Sequence, residues 1–295
     1  TAYKSGTDAI MYQLEVFDIN TVIIPQNLCP EVALRISNSY KIVFAPVLDH
    51  FEPANYRSVL PLHFDKVAIL FVHPYGIYRE LERNQISNFC DFIIDDCCLC
   101  DPLAILQSHV KNERSYVFSF GYSKVLDFGN GGLLVAPKSG GVSCMKLRLP
   151  FKMYGVSVPE GTDYDGTMSL STFVKIPFFL WLQRISDSRN KHKNEISKIY
   201  KSFIPAKVRV LDSPWRMVLK VSFDCRSEVI EILSNIDLDM FVGSNYPLLS
   251  NDNRGVRFLS HVDKSGEVPL NFFHDFRFDK ARAVLLGEIV KGVIK

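Results

Sequence analysis

The feature that most constrains this chain is a series of short, apolar, β-branched runs separated by helical stretches. Thr21 to Ile24, closed by Pro25, is the first; Lys41 to Ala45, Val67 to Val72, Asp91 to Asp96, Tyr116 to Phe120 and Leu133 to Ala136 follow. Strands this short and this apolar belong in a sheet buried on both faces, and the helices between them supply the covering layers. Ser5-Gly6-Thr7 precedes one such helix, Ala9 to Phe17, apolar at positions 9, 10, 14 and 17, and Glu80 to Phe89 reads as another. The expected fold class is α/β, a mostly parallel central sheet with helices on both faces. Right-handed crossovers bring the C-terminal ends of the strands to one edge, where such sheets bind their ligands. Asp96, Ser119 and Lys124 all follow from strand ends and so fall on that edge.

From Met168 a helical pattern runs to about Phe203, with a kink or break expected at Pro177. Its first part is apolar (Phe173, Val174, Phe178, Phe179, Trp181, Leu182) and reads as core or subunit contact; its second, Lys191 to Lys198, is charged. Beyond it a smaller strand and helix theme recurs in Arg216 to Phe223, Ser227 to Asn235 and Asp279 to Val290. We therefore expect a large domain over residues 1–200 and a small α/β domain over 201–295. No internal repeat or low-complexity tract is present.

Composition narrows the function classes. At 295 residues, 47% hydrophobic and 22% charged, the chain is too apolar for disorder and too long to need staples. Its 34 basic and 32 acidic residues give a net charge of +2 with no long single-sign block, which argues against a nucleic-acid partner. The longest apolar stretch, Ile176 to Leu182, is far short of the roughly 20 residues that span a bilayer. Nothing resembles a secretion signal, so the expectation is a soluble, cytoplasmic chain without a membrane partner. Because the first residue is Thr1, the natural N-terminus is expected not to be in view. The seven cysteines (29, 90, 97, 98, 100, 144, 225) are odd in number and irregular in spacing, against a disulfide framework. Cys97, Cys98 and Cys100 lack the second ligand pair that a structural zinc site needs, and read as buried thiols at a strand end rather than a metal site.

Three stretches carry chemistry. Ser5-Gly6-Thr7 at a helix start offers unpaired backbone N–H groups to a phosphate, although it is also an ordinary N-cap. Phe92-Ile93-Ile94-Asp95-Asp96 delivers carboxylates to the binding edge; one of them beside a cationic ring nitrogen would keep a pyridinium protonated. A solvated loop pair is the plainer alternative. Val117-Phe118-Ser119-Phe120-Gly121-Tyr122-Ser123-Lys124, followed by Gly129-Asn130-Gly131-Gly132, ends a strand in a serine, presents a lysine in a turn, and returns through glycines. A lysine so placed suits Schiff-base chemistry, or is a surface charge. The glycines form neither a phosphate-binding P-loop nor a dinucleotide fingerprint.

Order and spacing together resemble the DegT-like sugar-nucleotide aminotransferases, fold-type-I enzymes that use pyridoxal 5'-phosphate (PLP). The resemblance extends over nearly the whole chain: Gly6-Thr7, the turn Val72-His73-Pro74-Tyr75-Gly76, Asp95-Asp96 in place of Glu-Asp, Phe-Ser-Phe-x-x-x-Lys ending at Lys124, and Asn245-Tyr246-Pro247. It implies that Lys124 is catalytic, holds the cofactor as a Schiff base and moves a proton between substrate Cα and cofactor C4′. Asp96 would pair with the pyridinium nitrogen, and Gly6, Thr7 and Ser119 would hold the cofactor phosphate. The implied reaction takes an amino group from a donor such as glutamate to a keto-sugar nucleotide, for nucleotide-sugar or surface-polysaccharide (lipopolysaccharide) synthesis, in a homodimer with residues 1–200 as the PLP-binding domain. Departures stand beside it. Leu99 replaces the usual Gln or His, and Asp165-Gly166-Thr167-Met168 replaces an Asn-x-Arg-Met element that reaches the partner's cofactor phosphate. Gln26-Asn27-Leu28-Cys29 offers no aromatic ring to the cofactor, and only five residues precede Gly6, so an N-terminal arm is expected to be missing or naturally absent. These departures leave open a non-catalytic relative acting as a scaffold or partner subunit, and a PLP enzyme of another reaction type. The substrate-contacting loops are expected at Gly155 to Gly166 and Gly243 to Arg254.

Overall fold

The computed structural model describes residues 2–59, 65–80, 90–109, 114–121, 124–136, 172–236, 242–243, 248–252, 255–259, 266–274 and 278–294. Several expectations lie outside the described residues: the helix beyond Glu80, Tyr122 and Ser123, Cys144, the loop Gly155 to Gly166, Asp165 to Met168, Asn245 to Pro247, and the side chains at the apolar start of the long helix.

Seven strands form the first sheet: β1 (Ala2–Tyr3), β2 (Thr21–Pro25), β3 (Lys41–Ala45), β4 (Val67–Val72), β5 (Phe92–Asp96), β6 (Ser115–Ser119) and β7 (Gly132–Val135), in the order β1-β7-β6-β5-β4-β2-β3. From β3 to β6 all pairings are parallel; β7 and β1 are antiparallel. The mostly parallel sheet expected from the sequence is present, and side-chain alternation explains how both faces are filled. Val22, Ile24, Ala68, Leu70, Phe92, Ile94 and Val117 pack with α1 (Gly6–Val16) and α2 (Pro30–Ser37). Their neighbours in sequence point the other way: Ile23, Ile69, Phe71 and Ile93 pack with Tyr56, while Tyr116 and Phe118 pack with α3 (Pro102–Ser108). In β2, β4 and β5 every position is buried except the half-buried Val72, which is why these runs are so apolar, whereas edge strand β3 exposes Lys41.

α4 (Thr172–Phe203) leads to the second sheet and passes through Pro177 without the expected break. The proline falls in the second turn, close enough to the unbonded N-terminal groups that only one intrahelical bond, to residue 173, is lost. β8 (Arg209–Asp212), β9 (Met217–Ser222), β10 (Val242–Gly243) and β13 (Glu267–Phe272) make a four-stranded antiparallel sheet in the order β10-β13-β9-β8. Its apolar face (Met217, Leu219, Val221, Val268, Leu270, Phe272) packs on the last turns of α4, on α5 (Phe223–Ser234) and on α6 (Lys280–Val293). β11 (Leu249–Asp252) and β12 (Gly255–Phe258) pair as a separate hairpin, with Leu249 buried in the core of the first sheet.

Candidate functional site

A cavity of about 310 Å³ lies at the C-terminal ends of the parallel strands, between the start of α1 and residues carried by the second sheet. Gly6, Thr7, Asp96, Ser119 and Lys124, the five residues singled out in the sequence, all line it. The register accounts for this convergence. Val72 pairs with Asp96 and Asp96 with Val117, so β4 and β5 end at one level and β6 runs two residues beyond it, to Ser119.

At the start of α1, Ser5 is indeed the N-cap: its Oγ accepts from the Asp8 N–H at 3.1 Å. The Gly6 and Thr7 N–H groups belong to the first turn, which has no intrahelical acceptors, at the positive end of the helix dipole. An anion in the cavity therefore meets donors and favourable charge. The end of β6 lies close by: a Cβ on Gly6 would come within 3.2 Å of Ser119 Cβ and 2.8 Å of Cys98 Sγ.

The two aspartates of β5 separate because consecutive strand residues face opposite ways. Asp96 shares the face of Ile94 and borders the cavity, 8% exposed, with Oδ1 accepting from the Cys98 N–H at 3.0 Å. That bond fixes the carboxylate plane. Asp95 points to the other face, fully buried, with His73 Nε2 at 3.2 Å and Arg114 Nη1 at 3.5 Å. His73 Nδ1 accepts from the Arg79 N–H at 3.1 Å, which puts the ring proton on Nε2, toward Asp95. Neither aspartate is the solvated loop carboxylate of the plainer reading.

Lys124 is half-buried in a turn whose own amides hold it: Lys124 N–H donates to Gly121 O at 3.2 Å, and Phe128 N–H to Phe120 O at 2.9 Å. From α4, Arg189 donates to the carbonyls of Val125 at 3.3 Å and Asp127 at 3.2 Å. Cys98 also lines the cavity, but burial, and then the Asp96 charge, push its thiol well up, so it stays protonated and weakly nucleophilic. Cys97 and Cys100 are buried, and among the described residues no group of three or more His, Cys, Asp or Glu could hold a metal ion.

As the sequence implied, Asn27, Leu28 and Cys29 bring no ring to the cavity, and Leu99 adds an apolar wall. Rings come instead from Tyr75 and Trp215, whose planes lie 19° apart with centroids at 6.3 Å. Trp215, Asn271 and His50 line the cavity and were not singled out in the sequence. The one signal for them was local: an aromatic and a cation, Trp215-Arg216, set directly before a strand.

No family model matches the chain, and no curated protein matches it by sequence. Solved structures match it along its length. A DegT DnrJ EryC1 StrS aminotransferase from Brucella abortus aligns at 15% identity and TM-score 0.63, over 99% of this chain and 85% of that one. Helicobacter pylori PseC, an aminotransferase involved in the biosynthesis of pseudoaminic acid, aligns at 14% identity and TM-score 0.66, over 99% and 86%. Spr1654 of Streptococcus pneumoniae, named as a candidate sugar aminotransferase and solved in its PLP form, gives 14% identity and TM-score 0.67 over 99% and 86%. The chain thus has the fold of these aminotransferases, as its motifs implied.

Proposed function

We propose that the chain is a PLP-dependent aminotransferase that moves an amino group from a donor such as glutamate to a keto-sugar nucleotide. The observation that carries this reading is the meeting of a helix start, a strand-end carboxylate, a serine and a lysine in one cavity, from positions spread between Gly6 and Lys124. The names of the structures that share the fold support it.

The residues present fit the cofactor. Gly6 and Thr7 amides with the Ser119 hydroxyl offer a phosphate donors and a helix dipole. Asp96, its plane fixed by Cys98, suits a protonated pyridine nitrogen, since an opposite charge close by favours the charged ring. When bound, PLP supplies the electron sink that makes the Cα–H of an amino acid acidic. Lys124 Nζ then takes that proton, its reach set by the turn that Arg189 and the Phe120 carbonyl hold. Leu99, Leu28 and Val32 line the same cavity and give it apolar walls. The non-catalytic reading finds no support in a site that retains the lysine, the aspartate and the serine together.

We further infer a C2 homodimer, a cytoplasmic setting and a role in nucleotide-sugar or surface-polysaccharide synthesis. Among the described residues no helix is long and apolar enough to cross a membrane. The division into a domain of residues 1–200 and one of 201–295 belongs to the same proposal, with α4 as the connection. Purified protein given PLP should develop a visible absorbance band that borohydride abolishes, and should pass nitrogen from glutamate to a keto-sugar nucleotide. A Lys124→Ala variant that keeps the reducible band would overturn the assignment.

A further inference from the structure

Behind the cavity, on the opposite face of the sheet, the carboxylate of Asp95 is fully buried next in sequence to Asp96. The register sets Asp95 beside Phe71 on β4 and Tyr116 on β6. Among the described residues, the side-chain donors that approach it come from these two neighbours and from opposite ends of the sheet. His73, two residues after Phe71, lies on the cavity side with Nε2 3.2 Å from Asp95 Oδ1. Arg114, two residues before Tyr116, lies on the far side with Nη1 3.5 Å from the same oxygen. The His73 ring is itself held in place. Its Nδ1 accepts from the Arg79 N–H at 3.1 Å, which leaves the ring proton on Nε2, and the Tyr78 ring stacks on it at 4.5 Å.

A buried carboxylate that loses one partner turns toward the one that remains, because standing unpaired in the interior costs more than a small backbone shift. Without the His73 donor, Asp95 keeps only its contact on the side away from the cavity. That turn does not stay local. Asp95 O accepts from the Cys97 N–H at 3.1 Å, and the next amide along, Cys98 N–H, is the one that fixes Asp96 Oδ1 at 3.0 Å. Asp95 and Asp96 also share a rigid peptide unit. A displacement of Asp95 therefore moves both Asp96 and the amide that sets its plane. Gly6, Thr7 and Ser119 belong to α1 and β6 and are not part of this linkage.

We propose that His73, acting through Asp95, is a positioning residue that aims Asp96 at the ring nitrogen of the cofactor. The proposal rests on the aminotransferase reading and deepens it by giving Asp96 a support behind the sheet. Two ligands separate aim from general integrity: PLP, and its 1-deaza analogue, which has carbon in place of the ring nitrogen and the same phosphate and aldehyde. Absorbance titrations should show the unaltered protein binding PLP about tenfold or more tighter than the analogue, since only PLP presents a cation to Asp96. His73→Phe keeps a ring and removes the donor; it should lose most of that preference while binding the analogue as the unaltered protein does. His73→Gln, whose amide brings an N–H near the Nε2 position, should keep the preference. Hydrogen exchange without cofactor supplies the second readout. The Cys98 amide should exchange about tenfold or more faster in His73→Phe, and at close to the unaltered rate in His73→Gln. A His73→Phe protein that keeps the preference, that weakens both ligands equally, or whose Cys98 amide exchanges at the unaltered rate would overturn the proposal. Fast Cys98 exchange in His73→Phe, restored in His73→Gln, in a protein that forms no reducible band with PLP would leave His73 as the support of Asp96 and remove the aminotransferase reading instead.

Discussion

Gly6 has room for a hydrogen and little more. A methyl group there would meet Cys98 Sγ at 2.8 Å, and Ser119 Cβ, at 3.2 Å, limits any retreat. Gly6→Ala should therefore cost about 1–3 kcal/mol, the usual range for overpacking a closed site. Adding Cys98→Ala removes the sulfur and should recover part of that loss, with a coupling of about 1 kcal/mol between the two changes. Urea unfolding of the two single variants and the double variant measures it; simple additivity would show that α1 yields instead of pressing on the Cys98 turn. Residues of this kind differ in how far sequence exposes them. Ser119 and Asp96 were legible because each ends a recognisable strand, and Lys124 because it lies in the turn that follows one; the strand ends define the site. Asp95 was not, because only the pleat decides which of two adjacent carboxylates faces the cavity and which joins His73 and Arg114. Asn271 and His50 are single polar residues distant in sequence from every motif, and only folding brings them to the wall.

Among the elements, the parallel strands were read to within a residue or two, since their apolar runs leave no other reading. The short helices α2 and α3 were missed. Each begins with a proline, Pro30 and Pro102, and a first-turn proline reads as a break unless the turn after it is recognised. β13 contains Pro269, which speaks against a strand; β9 pairs it along its full length, and β10 reaches only Asn271 and Phe272 on the other side. α4 was legible as a helix, but its role was not. It carries Arg189, whose two bonds to the carbonyls of Val125 and Asp127 brace the turn that presents Lys124. Charge-assisted bonds of this kind contribute about 1.5–3 kcal/mol. Arg189→Gln should accordingly speed amide exchange at Lys124 and Phe128 about tenfold or more. Arg184→Gln, on an exposed stretch of the same helix, should leave it unchanged. Hydrogen exchange read by mass spectrometry decides this without cofactor, and equal exchange in both variants would show that the turn holds itself.

The two sheets are tied across the cavity by charges that no local pattern announces. Asp49 and Glu52 lie between β3 and β4; Arg209, Lys220 and Glu267 lie on β8, β9 and β13. Asp49 meets Arg209 at 2.5 Å and Lys220 at 3.2 Å, Glu52 meets Arg209 at 3.3 Å, and Lys220 also meets Glu267 at 3.4 Å. Burial pushes the Asp49 carboxyl up, but the Phe51 N–H, Arg209 and Lys220 outweigh it and hold the group below the usual carboxylate range. The sign of the pH dependence follows. A carboxyl whose pKa is lower folded than unfolded stabilises fully above its unfolded value, about 3.9, and loses that contribution as pH falls through the folded value. With Arg209 half exposed, solvent screening limits the contribution to about 1 kcal/mol, or a melting difference of about 2–4 °C. Asn at position 49 keeps the shape and cannot titrate. The melting temperature of Asp49→Asn should therefore lie below that of the unaltered chain at pH 7, and the gap should close as pH falls below 4. Other acid-sensitive groups are common to both proteins and cancel in the difference. One molar salt at pH 7 should shrink the same gap, since exposed pairs are screened at that strength. A gap constant from pH 7 to pH 3 would mean that the sheets are held by packing alone. In that case the wall bearing Trp215 and Asn271 would owe its position to the apolar core under β9 and β13.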